Sequence, residues 1–352
     1  CFTAEWIEQV SSELHYNDKN LIEKVIRALS LLEMLVKAGC PLVFKGGTAL
    51  MLILGKSAHR LSIDIDVICP PGTNIEDYLK SFADFGFINL ELVERKQRDD
   101  ADIPKSHSKF FYQIAYRNDT DAQSYILLDV LYEDIHYFRT QQIAINCPFI
   151  RLEGKPLMVT VPSAEDILGD KLTAFAPNTT GIPYYKNGRS CSMEIAKQLY
   201  DVGRLFENVS DLQITKEAFR KIAVVELSYR SFGTDIGQVF NDIRQTALCI
   251  STRGKAGEGD FDLIQDGIIR VKSFMYKQRY LIDHAIIDAA RAAYLATLIE
   301  KGINEIESYS NNPADIKDMV IRPSLPNKLN KLRSNLPEAY YYWAKTSELL
   351  EA

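Results

Sequence analysis

Apolar residues recur at helical spacing early in the chain. Ile22, Val25, Ile26, Leu29, Leu32 and Val36 fall on one stripe, and Gly39 supplies a stop. The pattern predicts a helix followed by a short strand, LVF, over residues 42–44. Gly46-Gly47 then predicts a tight turn, and TALMLILG a short helix ending at Gly55. Alternation takes over next, with Ile63, Ile65 and Val67 on one face of a strand and Asp64 and Asp66 on the other, roughly 7 Å apart. After the Pro70-Pro71-Gly72 break, Asn74 reads as the cap of a helix running to about Phe85. Four further strand-like runs reach about Val161, among them FFYQIAY, SYILLDVLYE and PLMVTV.

From Pro162 the period changes. SAEDILGDKLTAFA opens a run of helices, with Ser163 and Asp166 spaced like a capping box that uses Asp in place of Glu. A loop over residues 177–191 separates it from SMEIAKQLYDVGRLF, and helical patterns continue almost to the C-terminus. The pattern predicts an α+β protein, with a mixed-sheet lobe over residues 1–161 and an α-helical lobe over residues 162–352.

Composition narrows the class. A chain of 352 residues, 46% hydrophobic and 25% charged, buries a substantial core and divides into two domains. No apolar run approaches the roughly 18 residues that span a bilayer, and the mixed, acidic N-terminal stretch is unlike a signal peptide, so a cytoplasmic protein with no membrane partner is expected. The start at Cys1 reads as truncation rather than as a processed lipoprotein. Six scattered cysteines without a CxxC pair argue against a zinc site and a disulfide framework. A net charge of -6 gives no support to nucleic-acid binding overall, while leaving room for a local basic patch.

The chemistry concentrates between Gly46 and Asp66. A glycine pair that leaves a strand and enters a helix exposes N–H groups at a positively polarised terminus, where only glycine lets a bulky anion approach closely. Thr48 offers a hydroxyl there. Paired carboxylates on the adjacent strand suit Mg²⁺, a hard ion that shares its coordination shell with substrate phosphates. Either feature alone is common; the two on consecutive elements point to phosphate chemistry. Asp129 interrupts an apolar strand, where a charge is costly unless a cation or hydrogen bonds satisfy it. On a strand beside the first two it would join them as a metal ligand. A pairing with a buried Arg or Lys is the structural alternative. Arg60 either contacts phosphate or braces the carboxylates, His59 reads as a surface residue, and the histidines suggest no mechanism of their own.

KGGTAL, RLSIDIDV, DKLTAF and KQLYDVGRL together resemble the successive motifs of the AbiEii-type nucleotidyltransferase toxins of type IV toxin-antitoxin systems, within the DNA polymerase β-like nucleotidyltransferase superfamily. The motifs span residues 45 to about 205. One departure from the superfamily is that sixteen residues separate Gly47 from Asp64, a spacing that suits this subgroup. The resemblance implies that Gly46, Gly47 and Thr48 hold a triphosphate beside Arg60 and Ser62. It implies that Asp64 and Asp66 bind Mg²⁺ or Mn²⁺, and that Lys171 and Asp201 complete the site. It further implies an NTP substrate, an RNA acceptor such as the tRNA 3′ end, a translation block serving phage defence, and a cognate antitoxin as partner. Lys171 shares a helical stripe with Ile167 and Phe175, where a cation needs an anionic partner unless it snorkels to the lobe edge. Asp201 is equally explained by an i,i+3 pairing with Arg204. Transfer to a protein or small-molecule hydroxyl, and a non-catalytic nucleotide-binding module, stay open. Two basic tracts, RVKSFMYKQRY (270–280) and IRPSLPNKLNKLR (321–333), are candidates for gripping RNA or an acidic antitoxin.

Overall fold

The structure is a computed structural model that describes residues 1–93, 104–117, 122–209, 211–230, 233 and 235–352. It divides into two compact units, Cys1–Ser163 with Ser273–Arg279, and Ala164–Lys272 with Tyr280–Ala352.

In the first unit, α1 (Ala4–Glu13) and α2 (Lys19–Lys37) are capped by Thr3 and Asp18, whose side chains accept from the N–H groups of Trp6 and Leu21. β1 (Val43–Lys45) runs straight into α3 (Gly46–Leu54). β2 (Ile65–Cys69), β3 (Asn89–Val93), β4 (Lys105–Gln113) and β5 (Gln123–Tyr132) follow. Together with β1 they form a mixed sheet of order β1-β2-β5-β4-β3, in which only β2 and β5 pair in parallel. A separate hairpin joins β6 (Thr140–Ala144) to β7 (Met158–Pro162). One face of the large sheet is apolar: Phe44, Ile65, Val67, Leu128, Val130 and Phe110 share a core with the apolar stripe of α2. The alternation read from the sequence is therefore the core-facing register of the sheet.

Two local expectations are corrected. The single helix expected from Asn74 to Phe85 is two 3₁₀ turns, Ile75–Tyr78 and Phe82–Phe85. Asn74 Nδ2 donates to Asp77 Oδ2 at 3.1 Å, so its side chain is spent locally and caps no helix. The strand expected to carry both aspartates starts only at Ile65, leaving Asp64 just outside it. On the β1 side the pairing ends at Lys45 with Asp66, where the chain turns into α3, and on the β5 side it begins at Ile65 with Leu128, one residue after Asp64.

The second unit is helical: α4 (Ala164–Ala174), α5 (Ser192–Phe206), α6 (Leu212–Tyr229), α7 (Gly237–Ser251), α8 (Phe261–Val271), α9 (Ile282–Lys301), the short α10 (Leu332–Asn335) and α11 (Pro337–Glu351). The expected loop between α4 and α5 contains a small hairpin, β8 (Tyr185–Lys186) with β9 (Arg189–Ser190). Its turn is Asn187-Gly188, both at positive φ (52° and 74°), which this residue pair adopts readily. The centre of the unit is α9, whose buried alanines let α5, α7 and α11 pack around it.

The basic and aromatic tract 270–280 is not the stacking surface it suggested. α8 ends at Val271, and the following segment runs back into the first unit, pairing as an extended bridge between Arg60 and Met275. Tyr276 is buried with its hydroxyl donating to the Ala58 carbonyl, and Tyr280 is buried within the helical unit. Neither ring is free to stack on a base, and Arg270 sits 3.5 Å from Asp266.

Candidate active site

A row of charge crosses the face of the sheet opposite the core. Register pairs Lys45 on β1 with Asp66 on β2, Asp66 with Asp129 on β5, and Asp129 with His107 on β4. Paired residues share a face, so four half-buried side chains line up across four strands. The two carboxylates lie on neighbouring strands about 4.8 Å apart and repel each other. A lysine on one flank and an imidazole on the other offset that repulsion. Asp129 Oδ1 is hydrogen-bonded to His107 Nδ1. The partner of Asp129 is thus a histidine rather than the Arg or Lys that the buried position suggested. The signal was present in KSHSKFFYQ, where His107 stands at alternate spacing from Lys105 and Lys109, but only strand order pairs it with Asp129.

The glycine pair meets this row directly. Gly46 has φ +79°, and a Cβ there would lie 2.2 Å from Asp66 Oδ2. A Cβ on Gly47 would lie 2.7 Å from Ser62 Oγ and 2.9 Å from Arg60 Nη2. The double glycine therefore gives room for Asp66, Ser62 and Arg60 against the start of α3. No side chain caps that helix start, where Lys45 is the N-cap residue. Its first N–H groups and the positive end of the helix dipole could receive an anion, and they lie against the Asp66 carboxylate. A cation and a polyphosphate together would satisfy both.

Thr48 has a different task from the one expected. It is wholly buried, and its hydroxyl donates to the Asp64 carbonyl oxygen at 2.7 Å. Its side chain fastens α3 to the segment leading into β2 instead of facing a phosphate. Arg60 is also buried, with Nη1 donating to the Leu61 carbonyl at 3.0 Å, which suits bracing.

Asp64, Asp66 and Asp129 do not form a metal cage of their own. Among the described residues no group of three or more His, Cys, Asp or Glu side chains is gathered to hold an ion. The donor chemistry nonetheless fits Mg²⁺, which is usually bound through one or two carboxylates plus substrate phosphates and water. A carboxylate against an uncapped helix start offers that combination.

Lys171 and Asp201 belong to the helical unit and meet each other. Lys171 Nζ lies 3.0 Å from Asp201 Oδ2 and donates to Gln198 Oε1 at 2.9 Å, joining α4 to α5. Both side chains are buried, 8% and 2% exposed, so Lys171 does not snorkel to an edge. Arg204 pairs with Glu207 and Asp288 rather than with Asp201. Truncating one member of such a pair strands a buried charge. Lys171→Ala is expected to cost about 3–5 kcal/mol, whereas Lys171→Met with Asp201→Leu recovers most of it. Urea unfolding measures this, and nucleotide transfer by the refolded double variant separates roles. A folded but inactive double variant assigns the pair to the reaction; an active one makes it purely structural.

The remainder of KQLYDVGRL is explained by Asp288 on α9. A Cβ on Gly203 would lie 2.0 Å from Asp288 Oδ1, so glycine lets α9 come close. Arg204 and Arg291 sit 3.4 Å from the same oxygen. Burial pushes the Asp288 carboxyl up to about 6, against the pull of both arginines. The folded chain then holds a proton that the unfolded chain has released. The stabilisation is complete below about pH 4 and is lost as pH rises through about 6. The stability difference between wild type and Asp288→Asn is expected to fall by on the order of 2–3 kcal/mol between pH 4 and pH 7, read from paired denaturation curves. A pH-independent difference would contradict it.

Comparisons with known proteins bear on most of the chain. The family model described as "Nucleotidyl transferase AbiEii toxin, Type IV TA system" matches residues 29–315. Comparison with curated proteins returns no match. Solved structures with a similar course include MenT4, a nucleotidyltransferase toxin from Mycobacterium tuberculosis H37Rv, at 15% identity and TM-score 0.42, covering 84% of this chain and 89% of that one. Another is JHP933 from Helicobacter pylori, at 17% identity and TM-score 0.39, covering 82% and 92%.

Proposed function

Because the chain belongs to the AbiEii family of type IV nucleotidyltransferase toxins, we propose that it transfers a nucleoside monophosphate from an NTP to the 3′ end of tRNA, and so blocks translation. Membership makes it a nucleotidyltransferase, with an NTP as substrate and an antitoxin as counterpart. No helix among the described residues is long and apolar enough to cross a membrane.

The observation that carries the proposal is the contact of Gly46 with Asp66, which sets an uncapped helix start against a carboxylate. In this reading the N–H groups of Gly46 and Gly47 donate to the triphosphate, with Arg60 and Ser62 bracing the turn. Asp64 and Asp66 would hold Mg²⁺, which would neutralise the triphosphate and stabilise the departing pyrophosphate. An acceptor hydroxyl attacks the α-phosphorus in line; a new O–P bond forms as the bond to pyrophosphate breaks, and the hydroxyl proton leaves to solvent. Asp129, held by His107, keeps a second carboxylate beside Asp66.

The test incubates the purified chain with Mg²⁺, total cellular RNA and each α-³²P-labelled NTP in turn. Label in a tRNA-sized band supports the proposal and names the nucleotide. Label in a protein band overturns the acceptor, and no label with any nucleotide overturns the reaction.

A further inference from the structure

One cavity of the helical unit gathers cations that the proposed transfer does not use. It measures about 540 Å³, within the range of ligand-sized pockets, and its walls include Arg253, Lys255, Lys328, Lys331, Asp283 and Asn335. Lys328 and Lys331 stand three residues apart on the 3₁₀ turn Asn327–Lys331, where side chains at that spacing eclipse and leave on one side. Arg253 and Lys255 enter from the turn that follows α7. Lys328 Nζ donates to the Lys255 carbonyl, drawing the two basic elements together.

That convergence lacks a matching set of anions. The carboxylate in the wall, Asp283, is taken by Arg253 at 3.0 Å. Lys255 and Lys331 have no acidic partner among the described residues. In a chain with 47 acidic and 41 basic side chains, four cations to one carboxylate in a single hollow reverses the average. Like charges brought together this way call for an anionic ligand. No aromatic ring lines the hollow, so a base has nothing there to stack on. Lysine ammonium groups around a concavity match tetrahedral phosphates repeated along a strand, the contact that fixes position without reading sequence.

We propose that this cavity is a backbone-binding site for the acceptor RNA, gripping its phosphates through Arg253, Lys255, Lys328 and Lys331; the assignment rests on the RNA-directed reading above. The second basic tract of the sequence, residues 321–333, thereby acquires a ligand class that the first tract does not.

The test measures binding of fluorescently labelled tRNA to the full chain across a KCl series, with NTP binding recorded in parallel. Lys255→Ala with Lys331→Ala is expected to weaken tRNA binding about tenfold and to reduce the slope of log K against log salt by about 1–2. NTP binding should stay unchanged, and the Lys→Arg pair should retain RNA binding. Unchanged tRNA affinity in the alanine variant overturns the site while leaving tRNA transfer intact. A wild-type chain that binds no RNA yet labels another acceptor overturns the RNA reading itself. Displacement of tRNA by phosphate-matched pyrophosphate would make the hollow a small-anion site, and equal displacement by poly-glutamate would make it a surface for an acidic protein; each overturns the proposal.

Discussion

Asp66→Asn is expected to lower nucleotide transfer by at least about 1,000-fold, the scale of losing a group that stabilises developing charge at the reacting centre. The fold should be kept. Asn has nearly the shape of Asp, and Asp66 lies on the half-buried face of β2, away from the Phe44, Val67 and Val130 core. The substitution removes one of two neighbouring carboxylates in the row from Lys45 to His107. Loss of the attraction to Lys45 offsets relief of their repulsion, so stability should stay nearly unchanged while activity is lost. That opposition is the diagnostic: transfer assayed with labelled NTP collapses, growth arrest on expression disappears, and the denaturation midpoint does not fall. Wild-type turnover by Asp66→Asn would remove the carboxylate pair from the reaction altogether.

Gly46→Ala should be nearly as damaging for a different reason, and Gly39→Ala is its control. Both glycines have positive φ, +79° and +75°, so both substitutions carry the left-handed penalty of about 1–2 kcal/mol. They differ in space. Nothing lies within 4 Å of a Cβ on Gly39, whereas a Cβ on Gly46 meets Asp66 Oδ2 at 2.2 Å. Gly46→Ala must displace either the helix start or the carboxylate, and a shift near 1 Å at a reacting centre costs about 100-fold in rate. Gly39→Ala should lose stability and keep its rate per folded molecule. Equal rates for the two variants would mean that the contact between Gly46 and Asp66 has no part in the reaction.

Much of this was legible in the sequence, because local pattern reports which faces are buried. The helical stripe of α2, the alternation in β2 and the change of period at Pro162 each follow from the need to cover one apolar face. The glycine pair and paired aspartates were visible as types whose spacing suits phosphate chemistry. Where sequence pattern and structure differ, a long-range partner decided. Asp64 falls one residue outside β2, whose ladder with β5 begins at Ile65 and whose pairing with β1 begins only at Asp66. Thr48 turns from the cradle because the Asp64 carbonyl lies within 2.7 Å. Tyr276, which looked like a stacking surface, is drawn inward to the carbonyl of Ala58, a residue far removed in sequence.

The sequence by itself determined the α+β class and the family, since periodicity and residue type act within a few neighbours. Only the tertiary structure decided the charged row from Lys45 through Asp66 and Asp129 to His107, the pairing of Lys171 with Asp201, and the convergence of Lys255 with Lys328 and Lys331. Strand order and helix crossings set which distant charges become neighbours, and a charge acquires its partner only when the chain has brought one within a few ångströms.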